Sequence, residues 1–188
     1  MGWKNSAERY GLLSIGFHWL MFLLMIAVYA CIELRVLYPK GSDPRDALKA
    51  WHFMLGLSMF FLVWLRLVVR LLQPTPQPQS GMKSWQTSAA KVMHYILYLF
   101  MVAMPLMGWL ILSAEGKTIP FFSFELPALM AENHDIAENI EETHEIVGTI
   151  GYVLISLHTL AALFHHYLLK DNTVRRMLPT KMSFSNKT

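Results

Sequence analysis

The sequence predicts an all-α integral membrane protein, a four-helix bundle, from its composition, its four long apolar stretches and the distribution of its charges. Only 15% of the 188 residues are charged and 54% are hydrophobic, whereas soluble domains carry nearer ~25% charged residues. A helix crosses a bilayer with about 20 apolar residues. We expect a single membrane domain over residues 1–188, with spans at Leu12 to Leu34, Trp51 to Leu72, Val92 to Ala114 and Ile146 to Leu169.

The first span differs from a cleaved signal peptide. It is too long, contains His18, and runs into Glu33 and Arg35 without a small-residue cleavage site. Cys31 is the single cysteine, so no disulfide can form within the chain, and there is no CxxCH motif for covalent attachment of a c-type haem.

Charge divides the loops into two sets and predicts the orientation. The N-terminus, the loop after the second span and the C-terminal tail are basic, with Glu8 and Asp171 as their only acids. Because cytoplasmic segments carry the excess of Lys and Arg, both termini are expected in the cytoplasm. The net charge of +3 is no indication of nucleic-acid binding. The basic residues of this set are Lys4, Arg9, Arg66, Arg70, Lys83, Lys91, Lys170, Arg175, Arg176, Lys181 and Lys187.

Two loops have recognisable patterns. The alternating prolines of Gln73 to Gln79 predict an extended cytoplasmic connector. In the outer loop from Glu115 to Thr143, the Glu-rich part from Pro127 to Thr143 has helical spacing of its apolar residues. It is expected to form a surface helix, either separate from the fourth span or continuous with it.

Seven of the eight histidines lie in or beside the apolar spans, where ionisable groups are costly and usually functional. His144 and His158 are fourteen residues apart, so a helix would place them ~21 Å apart on nearly the same face. With the predicted orientation, His52 matches the depth of His144 near the outer surface, and His18 matches His158 toward the cytoplasm. The spacing therefore predicts two metal centres, each bound by histidines from two helices.

Haem fits these pairs better than a bare ion. A buried zinc site takes four converging protein ligands, whereas each pair here offers two histidines. Two axial nitrogens are enough when a porphyrin supplies the other four, as in bis-histidine haem. Small residues beside the histidines leave room for the macrocycle: Gly16, Gly56, Gly148 and Gly151.

The other polar residues of the spans allow two interpretations. Arg66 and Arg70 are expected near the inner haem, either as carboxylate-binding groups for its propionates or as ordinary anchors at the membrane surface. His94 contacts a quinone or propionate, or is simply interfacial. His165 and His166 are expected to lie as a pair at the membrane interface, and His134 is expected in an exposed acidic loop.

The chain resembles the bacterial cytochrome b561 family from about Tyr10 to Pro179. The resemblance is carried by the opening GFHWLMF, the stretch MPLMGWLILSAEGKTIPFF and the ending HTLAALFHHYLLKDNTVRRMLP. It implies a multi-pass inner-membrane protein with two non-covalent b-type haems. His18 and His158 match the ligands of one haem, and His52 and His144 match those of the other. The resemblance also implies exchange of electrons with ubiquinone.

The expected function is electron transfer, with a quinone-linked oxidoreductase as the enzyme class if the protein is an enzyme. Some family members are credited with oxidising superoxide, but the outer loops carry five basic and eleven acidic residues, and this charge would repel the anion. The cluster of Arg35, Lys40, Arg45 and Lys49 would oppose that locally. An alternative is a haem-bearing anchor for a separate dehydrogenase, and a third is a haem-free transporter with a histidine relay. A periplasmic donor and a second copy of the chain are candidate partners.

Overall fold

The computed structural model describes residues 2–78 and 81–179, and four long helices dominate it. Each of the four is long and apolar enough to cross a membrane. The protein is an all-α integral membrane four-helix bundle, as the composition predicted. Predictions that involve Gln79, Lys181 and Lys187 lie outside the described residues. The helices are α1 (Leu12–Leu34), α2 (Asp43–Leu71), α3 (Ser84–Ala114) and α4 (His134–Tyr167).

Three helices begin well before their apolar stretches, and polar residues favour the first turns of two of them, α2 and α4. In α2, Asp43 and Asp46 lie in the first turn, where carboxylates interact favourably with the positive end of the helix dipole. At the start of α4, the Asn133 Oδ1 accepts a hydrogen bond from the Ile136 N–H at 3.1 Å, which is a typical N-cap. The surface helix expected after Pro127 therefore begins only at His134, and it is continuous with the fourth span.

A short β-hairpin that the sequence did not predict follows α3. Strands β1 (Ile119–Phe121) and β2 (Phe124–Leu126) pair antiparallel, with Ile119 opposite Leu126. Phe122 in the turn has a φ of 55°, the left-handed region that non-glycine residues seldom adopt. The strands are only three residues long, so the usual alternating pattern of a strand is too short to recognise in the sequence.

The chain divides into two compact units, and every long helix contributes a segment to each. Within the described residues, unit 1 contains 2–20, 65–78, 81–97 and 153–179, and unit 2 contains Met21–Trp64 and Tyr98–Tyr152. The charges follow the same division. Unit 1 contains the described residues of the basic set, and unit 2 contains the acidic loops between α1 and α2 and between α3 and α4.

Unit 1 is held together by hydrogen bonds between segments that are distant in sequence. The Asn5 backbone N–H donates to the Gln73 Oε1 at 2.8 Å, and the Asn5 side-chain amide donates to the Pro74 carbonyl at 3.1 Å. Arg176 donates to the Gln77 carbonyl at 2.6 Å. The proline-rich connector, which is not helical over residues 73–78, is thus bound to both the N-terminal and the C-terminal segments.

Unit 2 has an apolar core beneath the hairpin. Leu57, Leu112 and Ile119 are almost fully buried and contact one another. Two hydrogen bonds tie the following loop to α3: the Trp109 Nε1 donates to the Pro127 carbonyl at 3.0 Å, and the Ser113 Oγ accepts from the Leu129 N–H at 3.0 Å.

Candidate functional site

In unit 2, His52 of α2 and His144 of α4 face each other, with ring centroids 6.3 Å apart. A metal–imidazole bond is about 2.0 Å long, so two nitrogens that bind one iron from opposite sides lie about 4 Å apart. The ring centroids then lie further apart by two ring radii. The observed separation fits two axial ligands of one haem iron.

The second nitrogen of His52 is held by the protein backbone. The His52 Nδ1 lies 3.0 Å from the Val28 carbonyl oxygen of α1. Because a carbonyl can only accept, the Nδ1 carries the proton, and the lone pair of the Nε2 is left for a metal. Such an outer hydrogen bond is usual for metal-binding histidines, where it fixes the tautomer and the ring orientation.

His144 has no comparable bond. Its Nδ1 is buried and makes no hydrogen bond of ordinary geometry with the described residues, although the backbone of Met104 is close. Gly108 of α3 lies against this ring, since a methyl group there would meet the His144 Cε1 at 3.7 Å.

A cavity of about 450 Å³ contains both imidazoles, and that volume is within the range of cofactor sites, about 300–1,000 Å³. Gly56, one helical turn after His52, lines the cavity, and no described atom lies within 4 Å of where its side chain would be. Gly148 also lines it. Gly56 therefore leaves space one turn from His52 within the cavity, whereas a methyl group at Gly148 would meet the Met104 Cε at 3.5 Å. Gly151 differs, because Tyr29 and Phe100 pack closely against it.

Two tyrosines beside the cavity form contacts that the sequence did not indicate. The Tyr152 hydroxyl donates to the Glu33 carboxylate at 2.6 Å, and the Tyr29 hydroxyl donates to the Gly148 carbonyl at 2.8 Å. The two rings lie 4.5 Å apart. These bonds join α1 to α4 next to His144. The helical spacing of Met25, Val28, Tyr29 and Ile32, all lining the cavity, was the available sequence signal for this face.

Unit 1 contains the second imidazole pair. The rings of His18 of α1 and His158 of α4 are also 6.3 Å apart. Gly16 is exposed, and it precedes His18 by two residues, so it lies on a different side of α1 from His18 and does not line this pair. The structure therefore brings together the same two pairs that depth matching predicted from the sequence.

His94 and Arg66 are close to the unit 1 pair. The His94 ring lies 5.2 Å from that of His158, and its Nδ1 donates to the Ala90 carbonyl of its own helix at 2.6 Å. The charge of Arg66 acts on His18, His94 and His158 alike, and that of Arg70 acts on His94. The sequence offered no axial partner for His94, and its position against His158 was not foreseen.

Arg66 constrains the tautomer of His18. Its guanidinium Nη2 is 3.2 Å from the His18 Nδ1. Because arginine only donates, the Nδ1 must accept, and the proton of a neutral His18 then resides on the Nε2. For the Nε2 to bind iron, that proton has to move to the Nδ1 and Arg66 has to turn away. A carboxylate near Arg66 would provide it with a stronger, bidentate partner.

The donor set favours haem over a bare metal ion. Across residues 2–78 and 81–179, no three His, Cys, Asp or Glu side chains converge in a way that could hold an ion. Each pair offers two imidazole nitrogens from two helices, which suits an iron whose remaining four positions are occupied by a porphyrin.

The remaining histidines lie in other surroundings. His165 donates from its Nδ1 to the Asp171 carboxylate at 2.8 Å, and the His166 Nδ1 donates to the Asp171 carbonyl at 3.2 Å. Both therefore close the C-terminal end of α4. His134 is exposed and lies 3.0 Å from a Glu132 oxygen.

The chain is similar to known proteins over most of its length. The model of the prokaryotic cytochrome b561 family matches residues 9–180. Cytochrome b561 homolog 1 of Escherichia coli is 35% identical over 93% of this chain and 99% of its own length. The probable superoxide oxidase CybB of Yersinia pestis is 36% identical over 93% and 98% of the two chains. Cytochrome b561 homolog 2 of Escherichia coli is 30% identical over 95% of each.

The fold and the imidazole pairs define a membrane-embedded, haem-binding helical protein. The chain belongs to the prokaryotic cytochrome b561 family. It is thus a bacterial multi-pass inner-membrane protein that binds b-type haem, as the resemblance implied.

Asp171 provides a test of the C-terminal cap. Partial burial raises the pKa of this carboxyl, but hydrogen bonds from Thr173 and His165 outweigh that effect, and the pKa lies below its ordinary value. The stabilisation is present above the unfolded pKa, about 3.9, and is lost as the pH falls through the folded pKa. We expect Asp171→Asn to destabilise the protein at neutral pH by about 1–2 kcal/mol.

The thermal midpoint in detergent, measured against pH, checks this. The difference between wild type and Asp171→Asn should shrink as the pH falls below about 3.9 and through the lower folded pKa, because the carboxyl takes up a proton first in the unfolded protein and then in the folded one. Replacement of the exposed Glu138 by Gln is the matched control and should change little. An equal difference at acidic and neutral pH would contradict the role of the Asp171 charge.

Proposed function

We propose that the protein is a di-haem b-type cytochrome that carries electrons between a donor and the quinone pool. The observation that supports this most is the presence of two imidazole pairs with the same centroid separation of 6.3 Å, each from α4 and one other helix. When bound, each haem supplies a one-electron ferric–ferrous couple. His18 and His158 would hold one haem, and His52 and His144 would hold the other.

The residues around each pair hold and orient the cofactors rather than open a position for bond-making chemistry. Two histidines on each iron leave no free site for a substrate, so electron carriage is favoured. Val28 fixes the tautomer of His52, and the apolar walls of the spans keep water away. Arg66 and Arg70 are proposed to bind the propionates at the unit 1 pair, and His94 is proposed to contact a propionate or the quinone.

We infer the orientation from charge and the acceptor from the family. Both termini lie in the cytoplasm, because the basic residues fall in the segments that include them. The whole chain forms one membrane domain, with the spans that the sequence predicted. Ubiquinone is the proposed electron acceptor on the strength of family membership.

Haem content tests the central part of the proposal. The purified protein should contain two b-type haems per chain, measured as the pyridine haemochrome against protein concentration. Replacement of His158 or of His144 by Ala should each lower the ratio to one, because each removes one axial ligand of a different pair. Replacement of the exposed His134 by Ala is the control and should leave two. A ratio of one or zero in the wild type would overturn the di-haem proposal.

Superoxide is a candidate electron donor, and the similarity of the chain to one relative favours it. One relative is named a probable superoxide oxidase. In that reaction each superoxide loses one electron and becomes dioxygen, and two electrons with two protons convert ubiquinone to ubiquinol. Of the predicted cationic cluster, Arg35 and Lys49 line the unit 2 cavity, but so do Glu33, Glu115, Glu141 and Glu145. Arg45 instead donates to the backbone carbonyls of Arg35 and Tyr38.

Stopped-flow mixing of the oxidised protein with superoxide distinguishes the donors. If superoxide is the donor, the haem α band of the reduced form should appear, and its rate should respond to ionic strength because the reactant is an anion. Absence of haem reduction by superoxide, with normal reduction by dithionite and by ubiquinol, would exclude this donor. A second polypeptide that co-purifies with the cytochrome would then favour the alternative of a haem-bearing anchor for a dehydrogenase.

A further inference from the structure

We propose that Arg35 binds a propionate carboxylate of the haem that His52 and His144 hold. This inference rests on the proposed function, because it requires a haem in unit 2. Arg35 lies in the short turn directly after α1 and lines the same cavity as the two imidazoles. In the sequence, Arg35 was recognised only as one of the four cations of the loop before His52.

Among the cations at this cavity, Arg35 is the one without an acidic partner in the part of the chain that the structure describes. Three cations line it: Arg35, Lys49 and Lys117. The Lys117 ammonium is 2.9 Å from the Glu115 carboxylate, and Lys49 is 4.0 Å from Asp46. The Arg35 Nε is buried and has no hydrogen-bond partner among residues 2–78 and 81–179. A buried arginine nitrogen in that state is costly unless an acceptor arrives.

The four glutamates of the cavity do not supply that acceptor. Glu33 accepts the Tyr152 hydroxyl, and Glu115 is paired with Lys117. Glu141 and Glu145 are exposed to solvent. These negative charges would also oppose the propionates of a haem at His52 and His144, unless a cation compensated them.

Hydrogen bonds to its carbonyl hold the backbone of Arg35 in place just after α1. The Arg35 carbonyl accepts hydrogen bonds from the Arg45 Nη1 at 3.2 Å and from the Tyr38 N–H at 3.3 Å. Arg45 also donates to the Tyr38 carbonyl at 2.9 Å. The Arg35 charge acts on the imidazole of His52. A guanidinium in this position offers two parallel N–H donors to a carboxylate.

The predicted consequence is a change in the reduction potential of one haem. A positive charge beside the propionate favours the ferrous form, which has one positive charge fewer than the ferric form. In Arg35→Gln, the ferrous-to-ferric ratio of that haem at a fixed ambient potential should fall about tenfold, which is about 59 mV for a one-electron couple. The other haem should keep its potential.

The measurement is a potentiometric titration of the purified holoprotein, followed at the α band. The reduction potential that changes should be that of the haem at His52 and His144, which is the haem that the His158→Ala variant retains. Resonance Raman spectroscopy should show a shifted propionate bending mode in Arg35→Gln. Arg35→Lys should restore much of the potential, because it restores the charge. Lys40→Gln removes an exposed cation of the same loop and should change neither signal.

The outcomes separate this inference from the proposed function. A wild type without haem at His52 and His144 would overturn the proposed function itself. Two bound haems with unchanged potentials and Raman modes in Arg35→Gln would overturn only the role of Arg35. If Arg35→Gln loses one haem, retention in Arg35→Lys supports the proposal, whereas loss in both variants shows that charge is not what matters and overturns it.

Discussion

The constraint on which the rest of this structure depends is the presence of four imidazoles inside apolar helices. A polar ring in such surroundings is costly unless its nitrogens find partners. The protein meets this requirement by facing His52 with His144 in unit 2 and His18 with His158 in unit 1. Because α4 supplies one histidine to each pair, the register of this single helix determines both sites.

The two pairs share their spacing but differ in their surroundings. In unit 2, the Val28 carbonyl accepts from His52 and leaves its other nitrogen ready for a metal. In unit 1, Arg66 donates to His18, so the same nitrogen must first lose its proton. A hydrogen-bonded acceptor raises the basicity of a ligating imidazole, and His52 has such an acceptor, whereas His18 faces a donor. The fold thus gives the two sites different electrostatic surroundings, which would give two bound haems different reduction potentials.

Hydropathy and helical periodicity predicted most of this arrangement. The four helices follow from apolar stretches, and the histidine pairs follow from depth along straight helices. The features that the sequence did not predict are the helix starts, the hairpin and the position of Arg35, which depend on polar helix ends or on side-chain direction. Asp43 and Pro44 are residues typical of a helix start for α2, and Asn133 is one for α4. These starts lie outside the apolar stretches from which the spans were predicted. Neither the hairpin of Ile119 to Leu126 nor the inward position of Arg35 has a periodic signal, because both are set by tertiary contacts.

The most direct test of the central claim is low-temperature electron paramagnetic resonance of the oxidised holoprotein. Two histidines on each iron should hold both ferric ions in the low-spin state. We expect low-spin signals alone, integrating to two irons per chain, with one signal lost when His18 or His52 is replaced by Ala. A high-spin signal that accounts for one full iron per chain in the wild type would show an open coordination position and exclude two histidine ligands on both irons.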